Sequence, residues 1–205
     1  HYAGRGQCGR GKINGLKVNG YRQEEGIAPD SNTETFVAIK FYLDNERWQD
    51  VPFYVRTGKK MKEKHSYITI QFKPLPNSTF SESTSLLSAN RLVINIQPQM
   101  DIRLQFMSKK PGLSLELKPV EMIFDNFACQ TDTPEAYETL LLEALVGDLT
   151  LFMRSDQVEE AWDVIKTIQE TWEKTKDPSF PNYASGNWGP DESDALVERQ
   201  GHQWV

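Results

Sequence analysis

The sequence predicts an α+β fold, in which a large, mostly antiparallel β-sheet carries helices packed on one face. Two observations lead to this prediction. Apolar and polar residues alternate in successive segments between residues 34 and 124, without a helical pattern between them, and such one-sided alternation is typical of antiparallel strands. After residue 133 the apolar residues recur at helical spacing instead. The helices are therefore expected after the sheet rather than between its strands.

The 205 residues are predicted to form a single domain with four consecutive parts. Residues 1–33 are rich in glycine and poor in apolar side chains, which favours a lead-in loop. Residues 34–124 form the predicted sheet and residues 133–175 the predicted helices. Residues 176–205 contain several prolines and glycines, which indicate an extended surface tail with one short helix at 191–199, ended by Gly201.

Six segments of the predicted sheet have an apolar face. The expected core positions are Val37/Ile39/Phe41/Leu43, Phe53/Val55, Ile68/Ile70/Phe72, Leu92/Ile94/Ile96, Ile102/Leu104/Phe106 and Leu113/Leu115/Leu117. A turn is predicted at residues 44–46, and the segment 74–88, rich in serine and proline, reads as a surface loop. These strands follow one another closely enough to pair as antiparallel neighbours.

Two longer helices are predicted from capping signals and apolar stripes. Thr133 and Pro134 are a typical helix start, with a hydroxyl N-cap followed by proline. The second helix begins near Ser155 or Asp156, where Asp156 and Glu159 resemble a capping box. Its apolar stripe is Val158, Ala161, Trp162, Ile165, Ile168 and Trp172. Both helices are expected to pack on the sheet.

Composition excludes several classes of protein. The formal net charge is -6, so the chain lacks the basic footprint of a nucleic-acid-binding protein. No apolar run approaches the roughly 20 residues of a membrane-spanning helix. Cys8 and Cys129 are the only cysteines and lie far apart, which indicates neither a disulfide framework nor a metal site. A reducing, cytoplasmic setting is the expectation.

Gly4, Gly6 and Gly9 satisfy G-x-G-x-x-G literally. A dinucleotide site also needs a buried strand before this motif and an amphipathic helix after it. Neither pattern occurs here, so no cofactor-binding residue is assigned to these glycines.

The segment Val51 to His65 is the strongest candidate for a binding site. A strand pattern runs through Arg56 into Gly58 and then into Lys59, Lys60, Lys62 and Lys64. The lysines can simply solvate and protect the end of a hairpin. Alternatively they converge with Arg56 on a phosphate or carboxylate. Residue spacing leaves both interpretations open.

No catalytic constellation is evident. His1 is terminal, His202 lies in the tail, and His65 closes the lysine segment, where a solvated residue is the simpler interpretation. Motifs of serine hydrolases and zinc proteases are absent. We therefore assign no catalytic residue and no metal ligand.

Long strings nevertheless resemble the C-terminal domain of glucose-6-phosphate dehydrogenase, most closely its bacterial branch. They are YRQEEGIAPDSNTETF at 21–36, VPFYVRTGK at 51–59, FDNF at 124–127, YETLLLEALVGD at 137–148 and RSDQ at 154–157. The resemblance extends over nearly the whole chain in the order of the family. Strings of this length are far more specific than a short motif.

The resemblance implies a fragment of a longer enzyme. Members of this family oxidise C1 of glucose 6-phosphate to 6-phosphogluconolactone by hydride transfer to NADP, in the pentose phosphate pathway. Their N-terminal Rossmann domain and catalytic histidine lie upstream of the region that this chain matches. The fragment alone is therefore expected to be inactive and to bind no NADP. The resemblance also implies a homodimer, or a higher homo-oligomer, through the sheet.

Three substrate contacts of the family have counterparts here. Lys59 matches the lysine that meets the sugar, Lys64 the basic residue associated with the phosphate, and Gln97 a glutamine near the sugar. Lys60 and Lys62 are then solvated neighbours. A second, structural NADP site of the animal enzymes keeps only Arg56 clearly, and its other matching positions hold different residues: His65, Thr69, Asn95, Arg103 and Gln105. The alternative function is a non-catalytic sheet module that self-associates or binds anions through the same lysines.

Overall fold

The computed structural model describes residues 3–73, 89–114, 116–125, 136–174 and 178–204. The chain divides into two compact units, the first formed by His1–Glu63 and Phe152–Val205 and the second by Lys64–Leu151. The predicted surface loop at 74–88 and the predicted helix start at Thr133 and Pro134 lie outside the described residues. The two units cut across the four consecutive parts expected from the sequence, because the last part of the chain returns to the first.

The elements follow one another in chain order. The strands are β1 (Ala3–Gly6), β2 (Cys8–Gly9), β3 (Gly11–Ile13), β4 (Leu16–Val18), β5 (Phe36–Phe41), β6 (Phe53–Gly58), β7 (Ser66–Gln71), β8 (Arg91–Gln97), β9 (Asp101–Lys109), β10 (Leu117–Asp125) and β11 (Tyr183–Ala184). The α-helices are α1 (Ala136–Val146), α2 (Ser155–Glu173) and α3 (Asp191–Glu198), and a 3-10 turn occupies Tyr21–Gln23. This mixture of helices with mainly antiparallel sheets confirms the predicted α+β class.

The first unit contains a three-stranded antiparallel sheet with the order β1-β5-β6. Its core brings together residues from both ends of the chain: Cys8, Phe36, Ala38, Tyr183 and Leu196. β11 pairs in parallel with β2, so that Tyr183 lies opposite Cys8. Helix α3 contacts both β1 and β5 and closes this side of the sheet.

Two predictions for the ends of the chain are wrong. Residues 1–33 are not a loop, since they form four short strands and bury Gln7 completely. Likewise the segment after residue 176 does not simply cross the surface, because Tyr183, Ser185 and Val197 are buried. The periodicity of side chains missed β1 because its glycines contribute backbone rather than apolar side chains. The short helix, in contrast, is confirmed at α3, and Gly201 follows it at φ +72°.

The covered face of β5 and β6 is the opposite of the predicted one. Phe36 and Ala38 are buried, and their partners in register are Gly58 and Arg56 of β6. Val55, predicted to face the core, is exposed. Phe41 and Phe53 instead stack on each other at 5.4 Å on that second face. Both faces carry apolar side chains, so alternation alone could not identify the covered one.

The second unit contains a four-stranded antiparallel sheet with the order β10-β9-β8-β7. Its register puts the apolar side chains on one face, here called the apolar face: Ile68, Ile70, Leu92, Ile94, Ile96, Ile102, Leu104, Phe106, Met122 and Phe124. The other, polar face carries Tyr67, Thr69, Arg91, Val93, Asn95, Asp101, Arg103, Gln105, Glu121 and Ile123. On the apolar face, Ile68 is 50% and Met122 61% exposed.

The sixth predicted strand is displaced. Leu113 lies in a turn and is fully exposed, whereas β10 begins only at Leu117 and continues through Pro119. Leu115 lies outside the described residues. A proline fits this strand because β10 is at the edge of the described sheet, where one row of backbone groups needs no strand partner.

Helix α2 begins at Ser155, as predicted, but its cap differs. The Gln157 side chain accepts a hydrogen bond from the Arg154 backbone N–H at 3.1 Å, so the expected role of Glu159 falls to Gln157. At the other end of the helix, the Arg5 guanidinium of β1 donates to the Trp172 carbonyl at 3.2 Å and lies over the Trp172 ring. In the described parts of the chain, no helix has both the length and the apolar character required to cross a membrane.

Candidate functional site

Lys59 follows β6 and has its backbone fixed on both sides. Its N–H donates to the Thr35 carbonyl at 2.7 Å, and its own carbonyl accepts a hydrogen bond from the Tyr183 hydroxyl at 3.0 Å. Thr35 also binds Tyr183 through its hydroxyl at 3.0 Å and accepts from the Cys8 N–H at 2.9 Å. The lysine therefore begins from a backbone that is anchored in the core of the first unit.

The turn after Lys59 is constrained by close packing and by the tail. A Cβ on Gly58 would lie 2.8 Å from the Phe36 ring, so a larger residue does not fit there. Lys60 has a left-handed φ of +51°, and its carbonyl accepts from the Gly186 N–H at 2.8 Å. The Lys62 N–H donates to the Asn187 carbonyl at 3.1 Å. Backbone contacts thus hold the whole turn.

The lysines of this turn are not equivalent. The Lys60 ammonium donates to the Asn19 carbonyl at 2.7 Å and pairs with Glu24 at 2.5 Å, so it is a structural residue rather than the solvated neighbour expected. The Lys59 and Lys64 side chains are exposed, and neither has an ion-pair partner among the residues that the structure describes. Lys62 is exposed in the same way, so three of the four lysines in this segment are available to an anionic ligand.

Lys64 and Gln97 lie at the same end of the four-stranded sheet in the second unit. Lys64 precedes β7 by two residues, and Gln97 ends β8 directly opposite Ser66. The Gln97 side chain is exposed and its peptide bond to Pro98 is cis. Lys59 belongs to the first unit, five positions earlier in the sequence. Of the three predicted substrate contacts, the structure places Lys64 and Gln97 at one sheet end.

A hydrogen-bonded network lies behind this sheet end. The Asn95 amide nitrogen donates to Asp101 at 2.5 Å, and the Asn95 oxygen lies 3.2 Å from His65 Nε2. Arg103 donates to both carboxylate oxygens of Asp101, at 2.8 to 3.2 Å. These bonds, first from Arg103 and then from Asn95, lower the pKa of Asp101, and the pKa of Arg103 is raised in return. Sequence reasoning missed Asp101, because nothing local marks it as buried.

The polar face pairs basic with acidic side chains. Its Arg103 is bound by Asp101 and also lies 3.6 Å from Glu121, while Gln105 donates to Glu121 at 2.8 Å. Asp101 and Glu121 thus neutralise Arg103, and these carboxylates would repel a phosphate brought close to it. Of the residues at the positions of the animal site, Arg103 and Asn95 both donate to Asp101, and Asn95 also faces His65.

Arg56 packs on two tryptophan rings instead of pointing toward the lysines as an anion ligand would. Its guanidinium lies over the rings of Trp188 and Trp204, 5.0 and 4.6 Å from their centroids. Trp204 is itself fixed by a hydrogen bond from its indole N–H to the Ser193 carbonyl at 3.0 Å. The hypothesis that Arg56 converges with the lysines on one anion is not supported by this geometry. Within the described residues, no cluster of His, Cys, Asp or Glu could hold a metal ion.

Comparison with known proteins supports the family resemblance over the whole length of the chain. The family described as "Glucose-6-phosphate dehydrogenase, C-terminal domain" matches residues 1–205. A glucose-6-phosphate 1-dehydrogenase of Bacillus subtilis is 45% identical over 204 residues, which are 99% of this chain and 42% of that protein. The corresponding protein of Chlamydia pneumoniae is 43% identical over 205 residues, covering 98% of this chain and 40% of the relative.

Solved structures agree with the sequence relatives. A glucose-6-phosphate dehydrogenase in complex with its substrate glucose-6-phosphate superposes with a TM-score of 0.85 at 32% identity, covering 99% of this chain and 41% of that one. A glucose-6-phosphate 1-dehydrogenase from Mycobacterium avium gives a TM-score of 0.75 at 29% identity, covering 97% of this chain and 40% of that one. The chain thus spans about two fifths of the length of these relatives. It belongs to the glucose-6-phosphate dehydrogenase C-terminal domain family.

Proposed function

We propose that the protein containing this chain oxidises glucose 6-phosphate at C1 to 6-phosphogluconolactone, with NADP as the hydride acceptor. The names of the sequence relatives and the solved substrate complex support this reaction. The chain itself supplies one wall of the sugar phosphate site and the surface for self-association. Binding of NADP and the catalytic base are assigned to the part of the relatives that this chain does not match. We also propose a cytoplasmic location and a role in the pentose phosphate pathway.

The observation that carries the proposal is that Lys59 and Lys64 present exposed ammonium groups. Lys62 is exposed as well, and the family resemblance alone distinguishes it from Lys64. In the described lysine segment, Lys60 is neutralised by Glu24, whereas Lys59 and Lys64 remain exposed without an ion-pair partner. A lysine in this state offers a strong point charge to a phosphate. We assign the phosphate to Lys64, and the sugar hydroxyls to Lys59 and Gln97. Each of the three acts in binding and orientation, and none is assigned a proton transfer.

Kinetics of the full-length protein test this assignment. Lys64→Ala should raise KM for glucose 6-phosphate roughly 10- to 100-fold, because a charge-assisted hydrogen bond contributes about 1.5–3 kcal/mol. KM for NADP and kcat should change little, since the phosphate contact is equal in the ground state and the transition state. Initial rates of NADPH formation over a range of both substrates give these constants.

Lys62→Ala is the matched control, because Lys62 is an exposed lysine of the same turn that contributes only its backbone to the contacts described. The 205-residue chain alone should give no NADPH. If Lys64→Ala and Lys62→Ala behave alike, Lys64 does not bind the substrate. If the full-length protein never reduces NADP with glucose 6-phosphate, the alternative of a non-catalytic sheet module replaces the enzyme.

We also propose a homodimer, or a higher homo-oligomer, that forms through the four-stranded sheet. The apolar face is assigned to helix packing, because Ile68, Met122 and Phe124 need cover from apolar side chains. The polar face is then left for the second copy. Among the described residues of this face, Ile123 is the large exposed apolar side chain, and it is the position at which this assignment can be tested.

A further inference from the structure

Asn95 is a buried and constrained polar side chain near the proposed substrate site. It is 9% exposed, and both ends of its amide are used, with Nδ2 donating to Asp101 and Oδ1 facing His65. In the strand register it lies opposite Asp101 of β9 on one side and Tyr67 of β7 on the other. A buried amide with both ends satisfied is fixed in orientation as well as in place.

The chemistry of the network defines every donor and acceptor in it. An ionised carboxylate only accepts, so Asp101 binds the Asn95 amide nitrogen, and the amide oxygen must face His65. His65 Nε2 therefore carries a hydrogen and donates a hydrogen bond to Asn95 Oδ1. Arg103 completes the chain on the far side of Asp101. Hydrogen bonds thus connect Arg103, Asp101, Asn95 and His65 in that order, and in each bond the donor and the acceptor cannot be exchanged.

This series of hydrogen bonds ends beside Lys64, the residue proposed to bind the phosphate. His65 directly follows Lys64, and its ring also packs on Tyr67 with 4.9 Å between centroids. The strand register shifts between Ser66 and Tyr67: Ser66 lies opposite Gln97, and Tyr67 opposite Asn95. Regular ladder bonding is therefore interrupted where Lys64 enters the sheet. The side-chain bond between His65 and Asn95 spans this interruption.

Resting on the proposed function, we propose that Asn95 is a positioning residue for substrate binding. It ties the segment that carries Lys64 to the strand that carries Gln97, so that the phosphate contact and the sugar contact keep one spacing. Asn95 does not itself touch the substrate, since it is buried and both of its polar ends are used. Asp101 and Arg103 fix Asn95, and His65 transmits its position to Lys64.

The test uses the full-length protein and a double-mutant cycle. Asn95→Leu should raise KM for glucose 6-phosphate about 3- to 10-fold, the equivalent of one ordinary hydrogen bond, with KM for NADP and kcat unchanged within about twofold. In a Lys64→Ala background the same substitution should change KM less than about twofold, because no pair of contacts remains to be aligned.

His65 gives a second test that does not disturb the interior, because its side chain is exposed. His65→Gln keeps an N–H that can reach Asn95 and should preserve KM, whereas His65→Ala should reproduce the effect of Asn95→Leu. If Asn95→Leu raises KM by the same factor in the original protein and in the Lys64→Ala background, Asn95 has a general structural role and the inference is overturned. Equal KM values for His65→Gln and His65→Ala would also overturn it. If Lys64→Ala itself leaves KM unchanged, the proposed substrate site fails first, and the inference fails with it.

Discussion

The Tyr183 hydroxyl is the residue-scale link between the core and the proposed site. It donates a hydrogen bond to the Lys59 carbonyl and accepts one from the Thr35 hydroxyl. Burial raises the pKa of Tyr183 to about 12, a rise that the hydrogen bond from Thr35 partly opposes. The folded protein therefore favours the neutral phenol more than the unfolded chain does, in which a tyrosine titrates near about 10. The stabilising contribution is complete below about pH 10 and is lost as the pH rises toward about 12.

Tyr183→Phe should lower the free energy of unfolding at pH 8 by about 1–2 kcal/mol, because the Lys59 carbonyl loses its donor. The difference between the original protein and the variant should shrink between about pH 10 and 12. Urea unfolding of both proteins across this pH range measures it. A difference that stays constant up to pH 12 would show that the Tyr183 phenol titrates normally.

At the scale of elements, β6 and the turn that follows it carry Lys59 only because small residues let other elements approach. Gly58 leaves room for the Phe36 ring, and the tail residues Gly186 and Asn187 bind the turn through backbone groups. Loss of this close approach should displace Lys59 without changing any charge. The position of the ammonium group is thus a property of three elements rather than of one residue.

Gly58→Ala should reduce the free energy of unfolding by about 1–3 kcal/mol, because the new Cβ would lie 2.8 Å from Phe36. It should also raise KM for glucose 6-phosphate by displacing Lys59. Gly4→Ala is the matched control, since a Cβ there meets nothing within 4 Å. Thermal unfolding and initial rates measure the two effects. Equal stability of the two variants would contradict the packing described for Gly58.

Elements with a local signal were predictable from the sequence, and elements that depend on distant residues were not. The alternation in β7, β8 and β9 and the helical spacing in α2 are local, and the positions of these elements agree with the structure. The expected packing of the α2 stripe on the sheet is not seen for Trp162, which is 59% exposed. β1 and β2 were missed because their short glycine-containing segments are stabilised by residues after 180. Leucine alternation misplaced β10, whose true course contains Pro119 at a sheet edge.

The proposed site shows the same division. The resemblance supplied Lys59, Lys64 and Gln97, which stay predictions. The ion pair of Lys60 with Glu24 and the hydrogen bonds of Asp101 depend on tertiary structure, so no spacing rule could have indicated them. Sequence could identify the residue types of a binding surface, but it could not tell which charges are already neutralised.

At the scale of the whole molecule, the second unit leaves two unlike sheet faces for different uses. The apolar face requires cover because a large exposed apolar patch marks an interface or a packing surface. On the polar face, Arg103 forms ion pairs with Asp101 and Glu121. A second copy would therefore meet a surface on which these charges are already paired. This arrangement is the basis of the proposed self-association.

Ile123→Asp in the full-length protein should weaken that self-association about tenfold or more, because it adds a charge to the face already carrying Glu121 and Asp125. Leu113→Asp is the control, because Leu113 is an exposed leucine in a turn outside the strand. Sedimentation over a range of protein concentrations measures the dissociation constant. Equal dissociation constants for the two variants would remove the polar face from the interface.

The pairing of β2 with β11 also orders events during synthesis. The Gln7 backbone N–H donates to the Asn182 side-chain oxygen across 175 positions, and Tyr183 lies in the core with Cys8. The ribosome makes the second unit, Lys64–Leu151, before it makes these closing residues. The first unit can therefore complete its core only after the segment up to Val197 has been made, and Lys59 acquires its final backbone contacts at that same late stage. Until then, the nascent chain exposes the core residues that Tyr183 later covers. Binding by chaperones is expected to matter most during this interval.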